Sequence, residues 1–251
     1  MVDKGGASRR EQQREATYAD IVRVSVALLE DGKELSLRSV ATGIGVTAPA
    51  LYRYVASYQE LVDLVAFEID KEATGHFRAA AEAQPVDDPA ARLVAAVVAF
   101  RRWALTRPRE FALVFANPTA DSSCVRRDLV TAATSGRYMN SLLIDVWHRH
   151  QFPHPELDEL PAPVRESLED PVVPIDLALL PEGHRGLLWV FMRAWAALYG
   201  VVALEVFGHM DPRVIVSGEL FTSVMLGWLE PLGLADERER LERLLRAEVA
   251  R

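Results

Sequence analysis

His148, His150 and His154 stand close before Glu156, and imidazole with carboxylate is a donor set for zinc and related metals. Their spacing matches neither H-E-x-x-H nor paired C-x-x-C, and Pro153 and Pro155 break the segment. A solvated helix end accounts for them, since cationic imidazole is favourable at a helix C-terminus. Cys124, the only cysteine, has Arg126 and Arg127 nearby to stabilise a thiolate, but no dyad partner can be named for it. Gly43-Ile44-Gly45 lacks the third glycine and the preceding strand of a dinucleotide fingerprint. The sequence therefore implies no catalytic residue, metal or cofactor. A different chemistry fits Tyr52, Arg53 and Tyr54, whose side chains can hydrogen-bond base edges or phosphates. Ala48 and Ala50 just before them are small enough to allow close approach.

Two short helices and a longer one must hold those residues. Ser36 can cap a helix whose inward face is Leu37, Val40 and Ala41, at the i, i+3, i+4 spacing of an amphipathic helix. Gly43 and Gly45 bracket Ile44 where the pattern breaks and the chain must turn. Thr47 is a candidate N-cap for the second helix, with Pro49 in its first turn and Leu51 pointing inward. Ser57 and Glu60 form an S-x-x-E capping box that opens a long helix carrying Leu61, Leu64, Val65 and Ile69. A helix-turn-helix of this kind places its second helix in a DNA major groove.

Ala41-x-x-x-Gly45-Val46, then Leu51-Tyr52-Arg53-Tyr54, then Ser57-x-x-Glu60-Leu61 resembles the N-terminal DNA-binding domain of the TetR/AcrR family of bacterial regulators. The segment from Ile21 to Gly32 is similar to that family's first helix, so the likeness covers roughly the first quarter of the chain. It implies DNA contacts from Ser36, Arg38, Thr47, Ala48, Pro49, Ala50, Tyr52, Arg53, Tyr54 and Tyr58. Two positions depart from the family pattern. Val55 stands where Phe is usual and remains an apolar core plug. Tyr58 stands where Lys is usual and offers a phosphate only a neutral hydroxyl.

The net charge of -8 would not suit a DNA binder were it spread evenly. Residues 1–60 hold eight basic and eight acidic side chains, so the deficit belongs to the remaining 20 basic and 28 acidic residues. Arg9, Arg10 and Arg14, with Gly5 and Gly6 ahead of them, read as a flexible arm over residues 1–16. It either lies along the minor groove or is simply solvated. One cysteine and a polar N-terminus without a signal-peptide pattern point to the cytoplasm. Leu187 to Gly208 is apolar enough to mimic a membrane span, but Arg193 and Glu205 interrupt it, so a buried bundle helix and no membrane association are expected.

Beyond the head, residues 17–60, the pattern predicts a connecting helix over 61–84 and an effector-binding and dimerisation domain over 85–251. Expected helices there run over 90–106, between Pro108 and Pro118, over 125–150, over 182–208, over 212–232, and from Asp236 onward. Seven prolines make 151–181 a long loop, either a lid or a poorly ordered excursion. The apolar residues of 187–204 go most of the way round a helix, which calls for a second subunit as cover. The resemblance implies a homodimer through the last two large helices, with Trp189, Leu220, Val224 and Trp228 at its interface. Trp195-x-x-x-Tyr199-Gly200 further resembles the Trp-His-Gly (WHG) signature of one C-terminal subfamily, with Tyr199 in place of the His.

Trp103, Phe111, Phe115, Met139, Trp147, Phe191, Trp195 and Tyr199 could line a pocket for a small apolar or amphipathic effector, with Arg102, Asn117 and Arg193 as further polar anchors. Read singly, the apolar ones also make ordinary core. The chain is thus expected to be all-α, with a three-helix DNA-binding head and a helical ligand-binding and dimerisation bundle. That describes a ligand-responsive transcriptional regulator, a repressor acting as a homodimer on a pseudo-palindromic double-stranded operator, and not an enzyme. The competing class is an all-α dimeric small-molecule binding or scaffolding protein without DNA binding.

Overall fold

In the computed structural model, which describes residues 9–116 and 133–251, every regular element among those residues is helical. In chain order the α-helices are α1 (Arg9–Glu30), α2 (Leu37–Gly43), α3 (Ala48–Leu51), α4 (Tyr58–Glu82), α5 (Pro89–Thr106), α6 (Pro108–Phe115), α7 (Thr134–His150), α8 (Ala162–Glu169), α9 (Leu187–Val206), α10 (Pro212–Ser217), α11 (Glu219–Leu226) and α12 (Arg238–Val249). Over the described residues the chain forms two units, 9–69 with 109–116, and 70–108 with 133–251. The division falls inside α4, between Ile69 and Asp70, within the span expected as a connecting helix. Most of α6 groups with the first unit.

The first unit is built on Ile21 and Val24 of α1, Val40 and Ala41 of α2, Leu51 of α3, Val55, and Leu61, Val62 and Val65 of α4, all buried. Residues 9–16, expected within a flexible arm, are instead the first two turns of α1. No glycine or proline occurs between Arg9 and Glu30, and Arg, Gln and Glu are good helix formers, so the pattern continues upstream of the apolar face.

The second unit is organised around α5, against which α7, α9 and α12 pack, while α11 packs on α9 and α12. Alanines at 90, 91, 95, 96, 99 and 104 are buried along α5, and their small size lets neighbouring helices approach closely. Phe77 of α4 meets Phe100 and Trp103 of α5 edge to face, with ring centroids 5.6 and 6.0 Å apart. α4 is also joined to α7 through Asp70. The buried Asp70 carboxylate accepts from Thr134 N at 2.6 Å, Thr134 Oγ1 at 2.8 Å, Ser135 N at 3.1 Å and Ser135 Oγ. It serves as an N-cap supplied from another helix, because Ala133 at the N-cap position has no side-chain acceptor.

Several elements differ from expectation. The helix ending at His150 begins at Thr134; residues 125–132, with Cys124 and Asn117, lie outside the described residues. The proline-rich stretch holds a 3₁₀ turn (Leu157–Glu159) and α8, and buries Phe152, Leu160, Leu168 and Ile175. Pro163 sits in the first turn of α8, where a missing N–H costs little. α9 begins at Leu187, after Pro181, Gly183 and Gly186, instead of at Glu182. The helix expected over 212–232 is cut into α10 and α11 at Gly218, whose φ of +65° breaks the ladder, and α11 ends at Leu226.

Candidate nucleic-acid interface

Local capping sets each helix of the head. Ser36 Oγ accepts from Ser39 N at 3.1 Å, and Ser39 Oγ accepts from Ser36 N at 3.0 Å, a reciprocal box that starts α2. Ser36 is therefore committed to the cap and is half-buried, whereas Arg38 is exposed. Gly43 ends α2 so near α1 that a Cβ there would lie 2.4 Å from Val24 Cγ1. Gly45 takes φ +74°, the left-handed conformation that reverses the chain into α3. Thr47 is the N-cap residue of α3 by backbone position, but its side chain makes no cap hydrogen bond and stays exposed. Ser57 Oγ accepts from Glu60 N at 3.1 Å, and Glu60 Oε2 reaches back to Ala56 N at 2.6 Å, so the expected box closes one residue earlier than its usual partner.

With Leu51 and Val55 buried, the other residues of this stretch face outward. Thr47, Pro49 and Arg53 are exposed, Tyr52 is 52% exposed, and Ala48 and Ala50 are half-buried beside them. Tyr58, at the first position of α4, is 41% exposed. Tyr54 differs. Its half-buried ring meets Tyr18 of α1 edge to face at 5.7 Å, and its carbonyl accepts from Tyr18 Oη at 3.2 Å. Arg14 Nη2 donates to that same hydroxyl at 3.1 Å, and this hydrogen bond, with the electrostatic pull of the Tyr18 and Tyr54 phenols, holds the Arg14 pKa above its ordinary value. Tyr18 was not among the expected site residues; its spacing from Arg14, one helical turn, is the only sequence signal for it.

The residues considered for an effector pocket do not all share a unit. Phe111 and Phe115 of α6 pack on one another at 5.3 Å within the first unit, while the other six belong to the second. Trp103, Met139, Trp147 and Phe191 are buried there. Trp195 is 37% exposed, stacks on Tyr199 at 5.7 Å and meets Phe100 edge-on. Arg102 donates to the Glu248 carbonyl, and Arg193 lies over the Trp228 ring at 5.7 Å. Leu220 is exposed, and Trp189, Val224 and Trp228 are half-buried. The three histidines go to different neighbours: His148 to the Trp147 ring, His150 to Glu237 at 3.6 Å, and His154 to His184 at 2.8 Å. Glu205, in the apolar α9, is buried and paired with Arg101 of α5.

An outward-facing α3, packed on α2 across the Gly45 turn in a chain whose described elements are all helical, defines a helix-turn-helix DNA-binding protein. Residues 93–227 match the family model described as "Tetracyclin repressor-like, C-terminal domain", and that span is more than half of the chain. The chain therefore belongs to the tetracycline repressor-like (TetR) family of transcriptional regulators. The HTH-type transcriptional regulators Rv1816 of Mycobacterium tuberculosis and Mb1846 of Mycobacterium bovis are each 26% identical to it over 221 residues, spanning 84% of this chain and 92% of theirs. The crystal structure of SCO4313 shares the fold, with a TM-score of 0.62 and 22% identity over 89% of this chain and all of that one.

Proposed function

We propose that this regulator is a cytoplasmic homodimeric repressor that reads a pseudo-palindromic operator with two α3 segments and leaves it when a small apolar or amphipathic effector binds the second unit. The observation that carries the reading is the uncovered apolar surface of α9, α10 and α11. Trp195 and Leu204 (42% exposed) on α9, Val216 (85%) on α10 and Leu220 on α11 face outward, with Trp189, Val224 and Trp228 half-buried beside them. Large exposed apolar side chains in such number mark an association surface, and a second copy of the same face is its cover. Two heads related by a two-fold axis read two half-sites about 34 Å apart, which one short recognition segment cannot do with useful specificity.

Effector action then follows as a population shift: a ligand that binds better to a state with the heads wrongly spaced lowers the fraction competent for the operator. Trp103, Met139, Trp147, Phe191, Trp195 and Tyr199 supply the apolar and aromatic contacts for such a ligand. The test is sedimentation of the free chain together with operator binding by fluorescence anisotropy. A dimer that binds one selected duplex per two chains is the expected result. A monomer that persists to high concentration, or a duplex bound with half-site spacing irrelevant, would overturn the assignment.

A further inference from the structure

The N-terminal turns of α1 do not trail away from the head. Arg9, Arg10, Gln13 and Arg14 line one open groove together with Arg53 and Tyr54 from the end of the recognition segment. Four of the eight basic side chains of residues 1–60 thus share one concavity, in a stretch whose charges sum to zero. Among the described residues none of the four arginines is in an ion pair, although Arg23, in the same helix, is paired with Asp20. Guanidinium groups gathered without carboxylates repel one another and favour an anion that can accept several forked hydrogen bonds at once.

We propose that this groove grips the phosphodiester backbone of duplex DNA beside the bases read by α3, a clamp of helix-borne arginines that stands in for the missing cation at Tyr58. The proposal rests on the DNA-binding reading of the head. Arg53 ties the clamp to the recognition segment, and the Arg14–Tyr18–Tyr54 hydrogen-bond chain fixes the register between α1 and that segment. Because Arg10, Gln13 and Arg14 recur at i, i+3 and i+4 of a formed helix, the grip needs no ordering of an arm on binding. Contacts of this kind raise affinity for every sequence alike and make it steeply salt-dependent.

The experiment uses the full chain, a 30-base-pair duplex that the wild type has selected from random sequence, and a scrambled duplex of the same composition. Binding is measured from 50 to 200 mM salt for the wild type and for Arg9→Gln/Arg10→Gln, with circular dichroism and inorganic pyrophosphate titration alongside. Losing two phosphate contacts should reduce the fold-loss of affinity across that salt range by about 12-fold and leave the selected-to-scrambled ratio unchanged. An unchanged salt slope in a folded variant overturns the clamp while leaving DNA binding intact. A collapse of the ratio overturns the backbone assignment in favour of base reading. Pyrophosphate binding that disappears in the variant while duplex binding does not identifies a free-anion site and also overturns it. A wild type that selects no duplex defeats the DNA-binding reading itself.

Discussion

Replacing Glu205 by leucine should cost the chain about 3–5 kcal/mol, the usual penalty for stripping a buried charge of its partner. Glu205 receives Arg101 Nε at 2.6 Å and Nη2 at 3.1 Å, and the two side chains are almost fully out of solvent. Once the carboxylate is gone, the guanidinium keeps only the Ile215 carbonyl, at 2.7 Å, and the Phe221 ring, at 5.2 Å. At about 2–4 °C per kcal/mol for a chain of this size, the melting temperature should fall by on the order of 6–20 °C. The double variant Arg101→Met/Glu205→Leu removes both charges at once, so it should lie within about 2 kcal/mol of the wild type, the residue being chiefly the Ile215 carbonyl left without its donor. Urea unfolding of the wild type, Arg101→Met, Glu205→Leu and the double variant at one fixed chain concentration gives the coupling energy directly, the concentration being held because assembly shifts apparent stability. If the double variant costs the sum of the two single variants, the pair is not a coupled unit and the penalty has another source.

Asp88 tests the pH dependence. Burial acts to raise its pKa, but the hydrogen bonds from Arg240 and Ala91 N and the charges of Arg240 and His150 outweigh that and hold it below its ordinary 3.8. Its contribution to stability is therefore present above about pH 4 and lost as the pH falls through the folded value; Asp88→Asn should flatten that part of the acid-unfolding curve, and an unchanged curve would exclude the contact. Asp70→Asn should destabilise the second unit by about 2–3 kcal/mol, because the amide cannot match a carboxylate accepting from four donors, and a loss under about 0.5 kcal/mol in urea unfolding would show that α7 caps itself. Tyr58→Lys should steepen the salt dependence of operator binding by about one phosphate contact, a slope change near 0.9, and an unchanged slope would remove position 58 from the backbone contacts.

Much of the head was legible residue by residue. Ser36, the glycines at 43 and 45, and the Ser57/Glu60 pair act within a few residues of themselves, so their hydrogen bonds and dihedrals follow from local chemistry. The same local logic misled at two places. Prolines 161 and 163 read as breakers of 151–181, yet they start α8, because a proline in a first turn gives up no helical hydrogen bond. Gly218 lies in an apolar run that looks continuous, yet a Cβ on it would come within 2.5 Å of Val249 Cγ1, a neighbour 31 positions away whose approach no window of sequence reveals.

Helical periods, the caps at Ser36 and Ser57, the turn before α3 and the sorting of apolar from polar faces could all be read from residue order, since each depends on interactions within one or two turns. Which distant groups meet is a result of helix packing: Arg101 with Glu205, Asp70 with the start of α7, and the arginines of α1 with Arg53. Burial makes a charge choose a partner from anywhere in the chain, and that choice depends on how whole helices pack, which spacing along the chain does not encode.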